Sequence, residues 1–232
     1  MYYPMYFDPT YVLVLLGVVI CMVASAKMNS TFNKYSRIRN HSGMTGRDAA
    51  EQILHREGLY DVRIEHISGN LTDHYDPRTK VVRLSDATYN STSVAALGVA
   101  AHECGHAIQH ANAYAPLQFR SAMFPLVNFA NKFGYIAILL GFVLGRGNFL
   151  LLGIIMVGIT VLFQLVTLPV EFNASARALT QLGELNILYG NEEKAGARKV
   201  LTAAALTYVA GAVVAIAELL RLIMIFNQRN ND

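Results

Sequence analysis

The sequence predicts a mainly α membrane protein with about four transmembrane helices and a small α+β part on the cytoplasmic side. Hydrophobic residues make up 53% of the 232 residues and are concentrated in long runs. Two of these runs contain no charged residue and are long enough to cross the hydrocarbon core of a bilayer. A polar segment follows the first run, and its helical and strand-like patterns are separated by turn residues.

The first and third apolar runs are the clearest membrane segments. Residues 10–26 and residues 149–170 carry no Asp, Glu, Lys or Arg. Runs of this length span a bilayer either directly or with some tilt. The leader before the first run has no basic residue and no small-residue cleavage site follows, so we expect a retained anchor rather than a secretory signal.

Two further runs contain charged residues. Residues 124–144 include Lys132, and residues 203–226 include Glu218 and Arg221. A charge inside a membrane segment must reach the interface or find a partner. We therefore expect Glu218 and Arg221, which are three residues apart, to pair within the last helix.

The distribution of basic residues predicts the orientation of the chain. The nine residues before the first helix contain no Lys or Arg, whereas several basic residues follow it closely. The positive-inside rule then places the polar segment in the cytoplasm. A short connection, residues 145–148, joins the second and third helices and returns the chain to the same side. The basic residues after the first helix are Lys27, Lys34, Arg37 and Arg39.

These assignments divide the chain into five segments. The net charge of +3 is small and spread along the sequence, which argues against nucleic-acid binding. Cys21 and Cys104 lie at different depths, so a disulfide framework is not expected. The segments are an anchor (1–26), a cytoplasmic part (27–123), a transmembrane hairpin (124–170), a second cytoplasmic segment (171–202) and a final transmembrane helix with its tail (203–232).

The first cytoplasmic part begins with a short helix and two strands. Thr45 and Asp48 have the spacing of a capping box, and Gly58 is a suitable helix end. Residues 61–67 and 80–84 alternate apolar and polar side chains and are bounded by turn-rich sequence. We expect these two segments to pair.

Residues 94–113 form a run of small and apolar residues that predicts one long helix, and it contains the sequence HECGH. Positions four apart lie about 40° apart around a helix, so His102 and His106 can direct both imidazoles at one metal ion. Glu103 is rotated by about 100° and can reach a water on that metal without being a ligand. Zinc lowers the pKa of bound water to about 7, and we expect Glu103 to act as the general base.

Several residues near the motif are not expected to bind the metal. His110 lies some 12 Å along the axis from His102 at about 1.5 Å per residue, too far to share a tetrahedral zinc. Cys104 points away from the histidine face, so we expect a packing role. His74 and Tyr75 are candidates for a further donor to the oxyanion, although the sequence assigns them no definite role.

A catalytic zinc has three protein ligands and one open position. The sequence alone leaves the third ligand open, since four carboxylates follow the third membrane helix on the same predicted side. Glu171 is equally well explained as an interfacial carboxylate at the end of a membrane helix. The other three resemble solvated charges. They are Glu184, Glu192 and Glu193.

The segment after the third membrane helix resembles the gluzincin membrane proteases of the HtpX type. Their third zinc ligand is the first Glu of an E-x-x-A-D helix, and Glu171, Phe172 and Ala174 match that pattern. Ser175 stands where those proteases have Asp. The resemblance implies that Glu171 is the third ligand of a single zinc ion, in a zincin-like catalytic domain.

Across nearly the whole chain the sequence is more similar to the YugP-like neutral zinc metallopeptidases of bacteria. This resemblance implies a metallopeptidase of the bacterial cell membrane. The matching stretches are YFDPTY, STFNKYS, LTDHYDPR, VAAHECGHAIQ and PVEFNASARAL.

The sequence therefore predicts a multi-pass zinc metalloendopeptidase acting near the cytoplasmic membrane surface. Its expected partners are peptide or membrane-protein substrates and the lipid bilayer; the oligomeric state is left open. The alternative is a zinc-binding membrane chaperone or scaffold without proteolytic activity. Structural zinc normally has four protein ligands and would not need Glu103, which favours catalysis. Intramembrane site-two-type proteases use a later Asp-Gly dipeptide, which this chain lacks.

Overall fold

The structure is a computed structural model that describes residues 11–231, with side chains for residues 11–229. The amino-terminal leader discussed above lies outside the described residues. These residues form six helices and three strands. They are α1 (Tyr11–Tyr35), α2 (Gly46–Arg56), β1 (Arg63–Ile67), β2 (His74–Asp76), β3 (Val81–Ser85), α3 (Val94–Ala111), α4 (Ala115–Val143), α5 (Gly147–Glu184) and α6 (Gly190–Asn231).

The chain forms two compact units. The first, which we call the helix unit, contains the start of α1 up to Ala24, Phe119–Thr167 and the part of α6 from Thr207. The second, the α+β unit, contains Ser25–Gln118 and Leu168–Leu206. All predicted metal-site residues belong to the α+β unit.

Within the described residues, four helices are long and apolar enough to cross a membrane, namely α1, α4, α5 and α6. This confirms the predicted mainly α membrane protein with a small α+β part. In the helix unit, Glu218 and Arg221 form the expected ion pair at 3.1 Å. The α4–α5 hairpin turns at Gly145, which has a φ of +67°. Glycine adopts a positive φ of this kind without the steric cost that a side chain adds.

Helix α2 begins and ends where the sequence predicted. The Thr45 side chain accepts a hydrogen bond from the Asp48 backbone N–H, and the Asp48 carboxylate accepts one from the Thr45 backbone N–H. This reciprocal capping box satisfies two backbone donors that a helix start otherwise leaves unpaired. Gly58, just beyond the end of α2, has a φ of +71°.

The sheet has the strand order β1-β3-β2. The two predicted strands pair in parallel, with Arg63 opposite Val81. Strand β2 was not predicted, because its three residues were assigned to a turn; it pairs antiparallel with β3, with Tyr75 opposite Val82. Among the described strands, β2 is therefore one edge of the sheet and β1 the other.

Helix α3 is the centre of the α+β unit. Ser93 caps it by accepting a hydrogen bond from the Ala96 N–H. The core around the helix buries α2, β3 and the neighbouring parts of α5 and α6, and its fully buried side chains include Ile53, Leu84 and Leu97. Strands β2 and β3 and helix α2 pack against α3. The histidine-bearing side of α3 approaches α5 near Ala174.

Candidate metal centre

His102 and His106 lie on the same face of α3. Their ring centroids are 4.8 Å apart, and the rings are nearly perpendicular. Both side chains are mostly buried. The Nε2 atom of each ring faces the carboxylate of Glu171, a residue of α5 that is 69 positions later than His102 in the sequence.

Glu171 is only 2% exposed. Its Oε2 atom lies 3.2 Å from His102 Nε2 and 3.6 Å from His106 Nε2. The ligand atoms of the three residues all lie within 4.8 Å of one another. The structure thus brings together the two histidines and the carboxylate that the sequence analysis named as metal ligands.

The two distances from Glu171 to the histidines are close to those of a tetrahedral metal site. Zinc binds His N and carboxylate O at about 2.0–2.1 Å, so two ligand atoms of one tetrahedron lie about 3.3 Å apart. The two distances from Glu171 to the histidines, 3.2 and 3.6 Å, bracket that value. Two imidazoles and one carboxylate also match the donor set of catalytic zinc, which keeps a fourth position open.

The HECGH helix approaches α5 closely at Gly105. A Cβ atom added to Gly105 would lie 2.5 Å from the backbone oxygen of Ala174. Only a residue without a side chain allows the two helix backbones this close together. The glycine inside the motif therefore has a direct role in bringing the histidines within reach of Glu171.

Each candidate ligand histidine has a hydrogen-bond partner on its other ring nitrogen. The Ser175 hydroxyl lies 3.1 Å from His102 Nδ1, and Gln109 Oε1 lies 3.0 Å from His106 Nδ1. Such contacts orient metal-binding imidazoles. Ser175 makes this contact although it replaces the Asp of the HtpX-type pattern. Gln109 was missed by the sequence analysis; the signal for it is its position one helical turn after His106.

The charges around His106 raise the pKa of its imidazole. Burial by itself would lower that pKa, but the hydrogen bond to Glu171 and the nearby Glu103 and Glu171 carboxylates outweigh it. Glu103 is therefore close enough to influence the site electrostatically. Its side chain is 8% exposed and follows His102 directly on α3.

The structure assigns other partners to the residues with uncertain roles. Tyr75 Oη and His110 Nδ1 are 2.9 Å apart, which joins β2 to α3. Burial raises the pKa of Tyr75 to about 12, so the phenol stays protonated. His74 lies near the Thr72 carbonyl and Arg83.

Cys104 is fully buried and its thiol faces the Ala50 carbonyl on α2, at 3.7 Å. Burial also raises the pKa of this thiol. It therefore packs between α3 and α2, as expected, and does not belong to the cluster of candidate ligands.

The other carboxylates considered as a third ligand lie elsewhere. Glu184 pairs with Arg56, and Glu192 is exposed. Glu193 is not a solvated charge, because it is 5% exposed and accepts hydrogen bonds from the backbone of His41 and Tyr189. Of the four carboxylates weighed from the sequence, the structure brings only Glu171 to the two histidines.

Comparison with known proteins extends beyond the site. Residues 10–227 match the family model described as "Putative neutral zinc metallopeptidase". The chain is 50% identical over 203 residues to "Putative membrane protease YugP" of Bacillus subtilis (strain 168), a match that covers 88% of this chain and 90% of that protein. No solved structure gives a significant match. With a family model that spans nearly the whole chain and a half-identical relative, the protein belongs to the neutral zinc metallopeptidase family of membrane proteases.

Proposed function

We propose that this protein is a zinc metalloendopeptidase of the HExxH gluzincin type, with one zinc ion per chain. His102, His106 and Glu171 would hold the ion, and Glu103 would be the general base. One observation carries the proposal: the ligand atoms of His102, His106 and Glu171 lie within 4.8 Å of one another, although Glu171 is 69 residues after His102 in the sequence. Two imidazoles and one carboxylate are a donor set of catalytic zinc, which keeps one position free.

A bound zinc ion would act as a Lewis acid, which polarises a carbonyl group and lowers the pKa of a water molecule to about 7. The residues of the chain do the rest. Glu171 would bring a negative charge to the ion, and His102 and His106 would present the Nε2 atoms of their imidazoles to it. All three side chains are mostly buried, which limits the contact of bulk water with the site.

Glu103, which directly follows His102 on α3, would be the proton carrier. Its carboxylate accepts a proton from the attacking water and delivers it to the nitrogen of the departing amine. A general base of this kind typically contributes about 10²–10⁴-fold to the rate. Its 8% exposure limits competition from bulk water for the same proton.

The expected orientation gives the location of the reaction. The basic residues after the first apolar run favour a cytoplasmic α+β part by the positive-inside rule. Glu171 directly follows the uncharged run of residues 149–170 in the sequence. We therefore infer that hydrolysis takes place near the cytoplasmic surface of the membrane, on membrane proteins or on segments held close to the bilayer.

The peptidase is tested with detergent-purified protein and an unstructured, fluorescence-quenched reporter polypeptide. We expect cleavage by the wild type, loss of cleavage after chelation, and recovery when zinc is added back. Glu103→Gln should cleave about 10²–10⁴-fold more slowly while still binding zinc. The control is Glu192→Gln, which replaces an exposed carboxylate on α6 and should cleave normally. A wild type that binds zinc but cleaves no reporter would favour the chaperone or scaffold alternative.

The orientation is tested separately by chemical labelling in cells. Asn70 lies in an exposed turn of the α+β unit, so Asn70→Cys provides an accessible thiol there. We expect a membrane-impermeant maleimide to label it only after the cells are permeabilised. Labelling in intact cells would contradict the cytoplasmic location.

A further inference from the structure

Gln109 is a polar side chain in the interior of the α+β unit. It is 0% exposed, although it lies on α3 beside the exposed His110. A buried amide costs stability unless its donors and acceptor are paired. Gln109 makes three such contacts, with His106 Nδ1 at 3.0 Å, the Val170 carbonyl at 2.8 Å and Asn173 Oδ1 at 3.0 Å.

These contacts allow only one orientation of the Gln109 amide. The Val170 carbonyl can only accept, so the Nε2 group of Gln109 must face it. Asn173 presents its oxygen to the same Nε2 group, because that oxygen also accepts from Arg177 Nε at 2.8 Å. A guanidinium has no acceptor, and it thereby fixes the orientation of Asn173.

The orientation of Gln109 then determines which ring nitrogen of His106 carries the hydrogen. With Nε2 committed to α5, only Oε1 of Gln109 faces the imidazole, and an amide oxygen can only accept. His106 Nδ1 must therefore carry the hydrogen. The lone pair of a neutral imidazole is then on Nε2, the atom that faces Glu171.

We propose that Gln109 is a positioning residue for zinc binding, and that Arg177, Asn173 and Gln109 form a hydrogen-bond chain that holds His106 in its metal-binding tautomer. The inference rests on the zinc site of the proposed function. These hydrogen bonds also fix the distance between His106 and Glu171, because Gln109 bonds to the carbonyl of Val170, which directly precedes Glu171. Gln109 thus ties one candidate ligand to the backbone next to another.

His102 is held differently. Its Nδ1 faces the Ser175 hydroxyl, which can donate or accept and can rotate to suit either tautomer. The surroundings therefore determine the tautomer of His106 but not that of His102. Loss of Gln109 should weaken zinc binding even where the fold is retained.

The test is the zinc affinity of the full-length, detergent-purified protein, measured by competition with a chromogenic chelator. Gln109→Met keeps the length of the side chain and removes its hydrogen bonds. We expect a dissociation constant about 10–100-fold higher than that of the wild type, the usual effect of removing such a partner. The matched control is Gln181→Met, since Gln181 is a buried glutamine of α5 that bonds Glu57 instead.

Two variants of the half-buried Asn173 test the hydrogen-bond chain without replacing a core residue. Asn173→Asp keeps an oxygen that accepts from both Gln109 and Arg177, so its zinc affinity should stay near that of the wild type. Asn173→Ala removes the acceptor and should weaken binding in the same direction as Gln109→Met, but by less. The absorption spectrum of the cobalt-loaded protein should change in Gln109→Met and not in Gln181→Met.

The outcomes separate the inference from the proposed function. A wild type that binds no zinc would overturn the proposed function. A wild type that binds zinc, with unchanged affinity in Gln109→Met, would overturn only the role of Gln109. If Gln109→Met does not fold, unchanged affinity in Asn173→Ala overturns the chain, and weakened affinity supports it.

Discussion

Replacement of Gly105 by alanine should damage the metal site through the packing of two helices. The added methyl group would lie 2.5 Å from the Ala174 carbonyl oxygen. An ordinary contact begins at 3.4 Å, so α3 and α5 must separate by about 0.9 Å at this point. Both atoms involved belong to helix backbones or are attached directly to them, and no side-chain rotation can relieve the overlap.

The separation is large compared with the tolerance of a metal site. It would extend the 3.2 Å between His102 Nε2 and Glu171 Oε2 to about 4 Å, whereas tetrahedral zinc requires about 3.3 Å. With zinc–ligand bonds of about 2.0–2.1 Å, a separation of about 4 Å would open the angle between the two ligands far beyond the tetrahedral value. Overpacking costs about 1–3 kcal/mol of stability, and the better helix propensity of alanine offsets about 1 kcal/mol. We expect a strong loss of zinc affinity with a smaller loss of stability.

The assay measures zinc per chain by elemental analysis and stability by thermal unfolding in detergent. Gly98→Ala is the matched control, because Gly98 lies on the same helix as Gly105. Its new methyl group would meet the Ala197 methyl at an ordinary contact distance of 3.5 Å. This control should bind zinc normally and unfold at an equal or higher temperature. A Gly105→Ala protein with full zinc and unchanged zinc affinity would refute the argument from helix spacing.

Further substitutions test single residues of the site. Glu103→Gln should lower the cleavage rate by about 10²–10⁴-fold at unchanged zinc content, and residual activity near the wild-type rate would assign the base elsewhere. Ser175→Asp should tighten zinc binding, because a carboxylate on His102 Nδ1 makes the imidazole a better ligand; weaker binding in a folded variant would contradict this. Cys104→Ala should keep full zinc, and native Cys104 should resist thiol reagents until the protein unfolds, since it is buried against Ala50; zinc loss in this variant would indicate a thiolate ligand.

The parts of the fold that depend on local spacing were predictable. The capping box at Thr45 and the four apolar helices follow from residues close together in the sequence. The pair of histidines on α3 likewise follows from the 3.6-residue period of a helix. Strand β2 was missed because three residues next to a turn give no periodicity.

The rest of the site depends on contacts between distant parts of the chain. Glu171 lies 69 residues after His102, so helix spacing could not select it from the neighbouring carboxylates, and only the family resemblance did. Gln109 was missed because the sequence does not show that α5 covers this side of α3. The close approach at Gly105 is equally invisible without the partner helix.

The central claim is that Glu171 completes a zinc site with His102 and His106. It is tested most directly by the zinc content of the wild type, Glu171→Ala and Glu184→Ala, each purified in detergent without chelators. Glu184 is the control because it is a carboxylate of the same helix that pairs with Arg56. We expect one zinc per chain in the wild type and in Glu184→Ala, and loss of zinc in Glu171→Ala. Full zinc in Glu171→Ala, or none in the wild type, would contradict it.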